Sequence, residues 1–207
     1  MTEPLVTVTS AAVLLPYDNV DTDQVIPARY LKAVTRDGLA DGLFADWRRT
    51  PDGAPRPDFP LNRPDAAGRE ILVAGQNFGC GSSREHAVWA LVANGFRVVI
   101  AGSFADIFRG NAAKNGLLTL QLDERTLADL HESLAARPDA VIGVDLVRGE
   151  VTLPGGETAS FQVDPFARRM LLAGTDELGY LLGHEADISA WEASHPASVA
   201  TTAVPTP

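Results

Sequence analysis

The segment between residues 71 and 101 constrains the fold of this chain more strongly than any other part of the sequence. It opens with the apolar run Ile71–Ala74, passes through a glycine-rich turn, and continues as a helical pattern that ends at Asn94 and Gly95. A second apolar run, rich in Val and Ile, follows at residues 96–101. A strand, a helix and a strand within about 30 residues form a βαβ unit, with parallel strands and a right-handed crossover. We therefore expect a parallel sheet with a helix packed on it.

The segments around this unit predict further strands and helices. Residues 141–163 alternate in polarity and carry Gly and Pro at two turns, which predicts a β-meander. Together these patterns predict the α/β class, with a parallel βαβ centre and an antiparallel β layer beside it. The other predicted elements are strands at 6–15 and 117–122 and helices at 104–111, at 123–136 with Asp123 as its cap, from Asp164-Pro165 to Gly174, and at 185–193, the last of them amphipathic.

Residues 37–69 are rich in Gly, Pro, Asp and Arg and show little periodicity. We interpret them as a long ordered excursion with a short helix near residues 42–47. Loops of this length in compact domains tend to be functional or mobile. The tail from Pro196 onward consists mainly of Ala, Thr, Ser and Pro and is expected to be disordered. The expected organisation is one domain at residues 1–195 and a disordered tail at 196–207.

Composition and charge argue against several classes of function. The net charge of −10 argues against nucleic-acid binding, which needs clustered basic residues, and against docking on an anionic membrane. No apolar run is long enough to cross a bilayer, and the N-terminus lacks the pattern of a signal peptide. The single cysteine, Cys80, excludes an internal disulfide and a self-sufficient iron–sulfur site, and it fits a reducing, cytoplasmic location.

The turn before the predicted helix has the features of an anion site. It reads Gly-Cys-Gly-Ser-Ser-Arg at residues 79–84. Free N–H groups and the dipole at a helix N-terminus favour negative charge, and Arg84 can bind a carboxylate through two hydrogen bonds. The alternative is structural: Ser82 and Glu85 have the spacing of a capping box, and Arg84 is then a surface charge. The two glycines favour a binding site, because they indicate a sharp turn or a close approach of the backbone.

Cys80 is a second candidate for the chemistry of this turn. A thiol beside a helix N-terminus should have a lowered pKa, which would make it a nucleophile. No second candidate base lies near it in the sequence, and a lone cysteine is more often a small buried apolar residue. His86, in the first helical turn, is interpreted as a packing histidine.

Ser82 could act as a base only with help from other groups. A serine hydroxyl ionises far above neutral pH, whereas a helix terminus contributes about 0.3–1 kcal/mol, or about 2 when buried. One pKa unit corresponds to about 1.4 kcal/mol, so the dipole lowers the hydroxyl pKa by about one unit. Arginines, N–H donors and a metal or cluster must supply the remainder.

Three segments of this sequence resemble the swivelling domain of the aconitase superfamily. NFGCGSSREHA at 77–87 resembles its signature, and NVDTDQVIPARYL at 19–31 and SFADIFRGNAAKNGLL at 103–118 resemble two other characteristic stretches. The resemblance extends from residue 5 to about 195 and implies a three-layer β/β/α swivelling domain. GLFADWR at 42–48 and the chain length resemble, within that superfamily, the bacterial small subunits of 3-isopropylmalate dehydratases.

The resemblance implies roles for residues of the glycine-rich turn and of the acidic turn, which begins the segment 19–31 and contains Asp21 and Asp23. Ser82 corresponds to the family's catalytic base, which abstracts and returns the substrate α-proton. Ser83 and Arg84 line the same pocket, and Arg84 holds a substrate carboxylate. Asp23 corresponds to an active-site aspartate of the family.

The resemblance also implies substrate-binding residues after the acidic turn. A further arginine binds carboxylate in the family; Arg36 is the candidate here, and Arg29 is its competitor. The stretch around Leu31 falls where the family distinguishes an isopropyl group from an additional carboxylate. Leu31 offers apolar contact there, whereas the charge of Lys32 leaves the preference ambiguous.

The cofactor and the partner follow from the same resemblance. The family uses a 4Fe–4S cluster whose three cysteine ligands belong to a large subunit, so this chain is expected to hold no metal itself and to be inactive alone. The implied reaction converts 2-isopropylmalate through 2-isopropylmaleate to 3-isopropylmalate, in leucine biosynthesis. The alternatives are a related hydro-lyase acting on homoaconitate or citraconate, a stand-alone enzyme using Cys80, and a non-catalytic anion-binding module.

Overall fold

A seven-stranded mixed sheet forms the centre of the computed structural model, which describes residues 3–32 and 38–195. The strands are β1 (Thr7–Leu15), β2 (Ile71–Ala74), β3 (Val98–Ala101), β4 (Leu118–Gln121), β5 (Val141–Asp145), β6 (Glu150–Thr152) and β7 (Thr158–Ser160). Their order across the sheet is β4-β3-β2-β1-β5-β6-β7. The strands β1 to β4 run parallel to one another, and β5, β6 and β7 extend the sheet as an antiparallel meander.

The strand β1 joins the two halves of the sheet end to end. Its residues 12–15 pair in parallel with β2, and its residues 7–11 pair antiparallel with β5. The α/β class, the parallel βαβ centre and the β-meander are therefore confirmed. The antiparallel strands are hydrogen-bonded to the parallel ones through β1, because one long strand offers each neighbour a different part of its length.

The described residues also form eight α-helices. They are α1 (Thr22–Val25), α2 (Ala45–Arg48), α3 (Glu85–Ala93), α4 (Asp106–Lys114), α5 (Glu124–Ala136), α6 (Pro165–Ala173), α7 (Glu177–Gly183) and α8 (Glu185–Ser194). The predicted caps of α5 and α6 are present: Asp123 accepts the N–H of Thr126, and Gly174 ends α6 with a φ of 62°. Among the described residues, no helix is long and apolar enough to span a membrane.

The C-terminal helices differ from the prediction. The helix α7 was not predicted, and α8 is not amphipathic, because all of its residues are exposed. Its apolar side chains therefore do not define an inward face.

Two apolar clusters lie on opposite faces of the parallel strands. Every residue of β2 and β3 is buried between them. One cluster contains Leu72 and Val99 and packs against α3 and the aromatic residues of 38–69. The other contains Ile71 and Val98 and is shared with α5 and the antiparallel strands. The antiparallel half of the sheet thus belongs to the same apolar core as one face of the parallel half.

The predicted excursion is ordered over its described part, residues 38–69. Phe44 is fully buried, its ring stacks on that of Trp47 with centroids 5.7 Å apart, and Phe59 packs beside both. The short helix predicted near 42–47 is present as α2. The predicted disordered tail at 196–207 and the candidate Arg36 lie outside the described residues.

Candidate active site

The acidic turn and the glycine-rich turn lie side by side beyond the carboxyl ends of β1 and β2. The N–H of Gly79 donates to the carbonyl of Val20 at 2.8 Å, and the N–H of Thr22 donates to the carbonyl of Cys80 at 2.9 Å. The Thr22 hydroxyl, on a side chain only 2% exposed, donates to the carbonyl of Ser82 at 2.7 Å. These three bonds fix the backbone on which the predicted catalytic serine stands.

The acidic turn is itself rigid because α1 begins with a capping box. The Asp21 carboxylate accepts the N–H groups of Asp23 and Gln24 at 2.7 and 2.9 Å, and the Gln24 side chain accepts the N–H of Asp21 at 2.9 Å. Sequence reasoning missed this role of Asp21 and the role of Thr22. The Asp-x-x-Gln spacing of Asp21 and Gln24 is the sequence signal for the capping box. No local pattern indicates the hydrogen bond from Thr22 to Ser82.

The glycines of the turn are required by close contacts. Gly79 has a φ of +76°, and a Cβ there would lie 2.3 Å from the Phe108 ring. Gly81 has a φ of +86°, and a Cβ there would lie 3.3 Å from the Cβ of Asp21. The predicted sharp turn and close approach of the backbone are both confirmed.

The predicted capping box at the start of α3 is wrong. The helix begins at Glu85, its N-cap is Arg84, and no side chain caps it. The Glu85 carboxylate instead accepts a hydrogen bond from the amide of Asn115 at 2.8 Å, so it does not turn back toward Ser82. The serines consequently lie in the loop before the helix, where their hydroxyls are not used as its cap.

Ser82, Ser83 and Arg84 line a pocket of about 260 Å³. Its opposite wall is the first turn of α4, whose N-cap residue Ala105 also provides no side-chain cap. The N-termini of α3 and α4 therefore border the pocket, and the positive end of each helix dipole favours an anionic ligand. Its complete lining is Thr22, Gly79, Gly81, Ser82, Ser83, Arg84, Ala105, Asp106, Ile107 and Phe108.

The structure brings Arg84 and Asp23 together as an ion pair between Arg84 Nη1 and Asp23 Oδ1. The Arg84 side chain is 17% exposed and that of Asp23 is 51% exposed. The partly buried guanidinium is thus balanced by a more exposed carboxylate. An anionic ligand of the same guanidinium nitrogen would have to take the place of Asp23.

Two further residues considered for substrate binding, Arg29 and Leu31, are described by the structure and do not line this pocket. Arg29 pairs with Asp46 at 2.6 Å and lies over the ring of Tyr30, and the hydrogen bond to Asp46 raises the pKa of Arg29. Leu31 packs against the apolar cluster beneath α3. Arg84 is therefore the cation that lines the pocket within the described ranges.

The expectation of an activated thiol at Cys80 is wrong. Partial burial, and secondarily the charge of Asp21, raise the pKa of this thiol. The physical reason is distance along the chain: α3 begins five residues later, at Glu85, and the dipole effect fades beyond the first turn. In residues 3–32 and 38–195, no three His, Cys, Asp or Glu side chains are arranged to hold a metal ion.

Comparisons with known proteins identify the family of this chain. Residues 2–125 match the family described as the aconitase C-terminal domain. The 3-isopropylmalate dehydratase small subunit of Roseiflexus sp. (strain RS-1) is 54% identical over 201 residues, which cover 97% of this chain and 98% of the relative. That of Anaeromyxobacter dehalogenans (strain 2CP-1) is 58% identical over 190 residues, covering 92% and 97%.

A solved structure shows the same fold. The crystal structure of 3-isopropylmalate dehydratase (leuD) from Methanocaldococcus jannaschii superposes with a TM-score of 0.65 at 30% identity, covering 89% of this chain and 99% of that one. The family match at residues 2–125 includes the turn that carries Ser82, and the Roseiflexus relative is aligned over 201 of the 207 residues. The chain belongs to the 3-isopropylmalate dehydratase small subunits, a family of hydro-lyase subunits in the aconitase superfamily.

Proposed function

We propose that this chain supplies the proton-transfer and carboxylate-binding half of an active site that interconverts 2-isopropylmalate and 3-isopropylmalate through 2-isopropylmaleate. The observation that carries the proposal is the pocket lined by Ser82, Ser83 and Arg84 and bordered by the N-termini of α3 and α4. The small-subunit relatives support the substrate assignment by their names.

Ser82 acts in this proposal as the base that removes and returns the substrate α-proton. Even two favourable, partly buried helix termini lower the hydroxyl pKa by only about three units, at about 2 kcal/mol each. Arg84 adds positive charge, but Asp23 offsets it until substrate arrives. The half-site therefore needs further positive charge from a partner before Ser82 can work near neutral pH.

Arg84 and Ser83 hold a substrate carboxylate in this proposal. The planar guanidinium offers two parallel N–H donors, and the carboxylate displaces Asp23 from it. Asp23 keeps Arg84 oriented in the absence of substrate. In the same proposal Leu31 contacts the isopropyl group and Arg36 binds the second carboxylate, and both follow Asp23 in the sequence.

The 4Fe–4S cluster belongs in this proposal to the large subunit. The whole sequence contains one cysteine, and the raised pKa of Cys80 opposes the thiolate form that a cluster ligand needs. When bound in the large subunit, the cluster supplies a Lewis acid for the leaving hydroxyl. The proposed setting is leucine biosynthesis in the cytoplasm.

The test is reconstitution of the chain with the large subunit, iron and sulfide, followed by an assay of 2-isopropylmaleate formation. Ser82→Ala should lower kcat by about 10²–10⁴-fold, as expected for the loss of a general base. Cys80→Ser should keep activity close to that of the wild type, because the thiol does not line the pocket. The opposite pattern would identify a cysteine-dependent enzyme.

Substrate choice is tested in the same reconstituted complex. Citrate, homocitrate and 2-isopropylmalate are compared at equal concentration, and 2-isopropylmalate should be turned over fastest. Comparable turnover of all three would contradict the isopropylmalate assignment. A complex that forms but turns over none of them would indicate an anion-binding module.

A further inference from the structure

The helices α7 and α8, together called the C-terminal hairpin, expose an unusual amount of apolar surface. Five large apolar side chains lie within fourteen positions of each other and are between 42% and 64% exposed. They are Leu178, Leu181, Leu182, Ile188 and Trp191. Contiguous exposed apolar patches on a folded protein mark surfaces that bind another molecule.

The spacing of these residues places them on one face of each helix. Leu178, Leu181 and Leu182 stand at positions i, i+3 and i+4 of α7. Ile188 and Trp191 stand at i and i+3 of α8. Side chains three and four residues apart are neighbours on a helix surface. The three leucines thus form an apolar stripe on α7, Ile188 and Trp191 add two neighbouring apolar side chains on α8, and no layer of the described residues covers them.

The hairpin is attached to the rest of the structure through other side chains. Glu177 pairs with Lys114 at the end of α4, at 3.2 Å. Tyr180 packs edge-on against Phe166, with ring centroids 5.0 Å apart, and its hydroxyl accepts a hydrogen bond from Arg169 at 3.2 Å. These contacts hold α7 in place while its leucines stay exposed. Isolated helices as short as α8 are marginal in water, so a covering surface would stabilise it.

Charge indicates the chemistry of the molecule that covers the hairpin. Residues 176–195 contain no Lys or Arg. Their five acidic residues are Asp176, Glu177, Glu185, Asp187 and Glu192. A second copy of this chain docked symmetrically would bring these acidic groups against each other. The favoured occupant is a surface with an apolar centre and a rim of Lys and Arg.

Position indicates which molecule that is. The helix α4 runs from Asp106, which lines the active-site pocket, to Lys114, which holds the hairpin. Eight residues of α-helix span about 12 Å. A subunit that covers the Ser82 pocket can therefore also reach the hairpin. The small-subunit relative aligned over 201 of the 207 residues necessarily includes the hairpin.

We propose that the C-terminal hairpin is a docking surface for the large subunit, which presents to it an apolar patch rimmed by Lys and Arg. This inference rests on the proposed function, since that function requires a large subunit over the Ser82 pocket. The hairpin then serves as a second point of attachment beside the active site. Its leucines and Trp191 supply the buried contact, and its acidic residues supply orientation.

The test measures the dissociation constant between the full-length chain and the purified large subunit. Leu182→Ser combined with Trp191→Ser should raise Kd by about tenfold or more, the effect of removing two well-buried apolar contacts. Glu185→Lys combined with Glu192→Lys should also raise Kd, and this effect should shrink at high salt. Val147→Ser is the matched control, because Val147 is also apolar and 52% exposed but lies between β5 and β6.

Separate measurements distinguish the possible results. Circular dichroism of each free variant establishes that the fold is retained, and sedimentation of the free chain reports its oligomeric state. An unchanged Kd for both hairpin variants would overturn the proposal, as would a wild-type dimer that only the hairpin variants dissociate. With saturating large subunit, kcat of the hairpin variants should return to the wild-type value. A wild-type complex that forms but does not turn over isopropylmalate would count against the proposed function. The comparison of Kd values would still test whether the hairpin binds the large subunit.

Discussion

Gly79 shows at the scale of one residue how the active-site turn depends on a missing side chain. Its φ of +76° and its contact with the Phe108 ring leave no room for a Cβ. Gly79→Ala should lower the free energy of unfolding by about 1–2 kcal/mol for the backbone conformation and about 1–3 kcal/mol more for the overlap. Denaturant titration measures the loss.

The chain contains a matched control for this substitution. Gly68 has the same φ of +76°, and a Cβ there would meet nothing within 4 Å. Gly68→Ala should therefore show only the backbone cost. Equal losses in the two variants would contradict the role of Phe108 in shaping the turn.

Cys80 is a residue whose reactivity follows from its surroundings. Burial, followed by the charge of Asp21, raises its thiol pKa, so the reactive thiolate is scarcer at a given pH than in free cysteine. We expect iodoacetamide to alkylate Cys80 more slowly than free cysteine at pH 8. The rate should rise with pH to a midpoint above the ordinary thiol value of about 8.5. A midpoint below neutral pH would restore Cys80 as a candidate nucleophile.

At the scale of elements, α1 acts as a support for the turn that carries Ser82. The buried Thr22 hydroxyl donates to the Ser82 carbonyl across a sequence separation of 60 residues. Thr22→Val keeps the shape but leaves that carbonyl without its donor, which should cost about 1–3 kcal/mol of stability. The same change should lower kcat in the reconstituted enzyme, because Ser82 would lose its fixed position.

Thr22→Ser separates the hydrogen bond from the packing at this position. Serine retains the hydroxyl, so most of the stability and kcat lost in Thr22→Val should be recovered. Urea midpoints and kcat of the two variants are the measurements to compare. If both variants lost kcat equally, the threonine methyl group and not the hydrogen bond would position the turn.

The helix α5 illustrates a pH dependence that belongs to a single element. Hydrogen bonds from the Thr126 hydroxyl and then from its N–H lower the pKa of the N-cap Asp123. Because the pKa of Asp123 is lower in the folded than in the unfolded protein, its ionised carboxylate stabilises the fold at pH values above the unfolded pKa of about 3.9. This stabilisation disappears as the pH falls through the pKa of Asp123 in the folded protein. The urea midpoint of Asp123→Ala should lie below the wild type at pH 7 and approach it at pH 3. Asp123→Asn keeps a cap acceptor without titrating, so its midpoint relative to Asp123→Ala should not vary with pH in this way.

At the scale of the whole molecule, the two halves of the sheet share β1 and one apolar core. We therefore predict that residues 1–195 unfold as one cooperative domain. The fluorescence of Trp47 reports on the excursion and that of Trp89 on α3. In variants that retain only one of these tryptophans, the denaturant midpoint from fluorescence should equal the midpoint from far-ultraviolet circular dichroism. Separate midpoints would identify the excursion or the antiparallel half as an independent unit.

The sequence by itself determined the features that local physics encodes. The apolar run at 71–74, the glycines after it and the stop at Asn94-Gly95 predict β2, α3 and β3, because periodicity and turn residues act over a few positions. The cap at Asp123 and the Pro165 helix start follow from single residues in the same way. The motif around Ser82 likewise predicts the location of the site from sequence alone.

Only the tertiary structure decided which distant surfaces meet. The division of β1 between two halves of the sheet, the support of Ser82 by Thr22 and the wall formed by α4 all depend on pairs of segments far apart in the chain. The start of α3 was misplaced for the same reason, since Glu85 is bonded to Asn115, 30 residues away. Local pattern specifies what each segment can form, whereas its hydrogen-bond and packing partners are chosen when the segments come together.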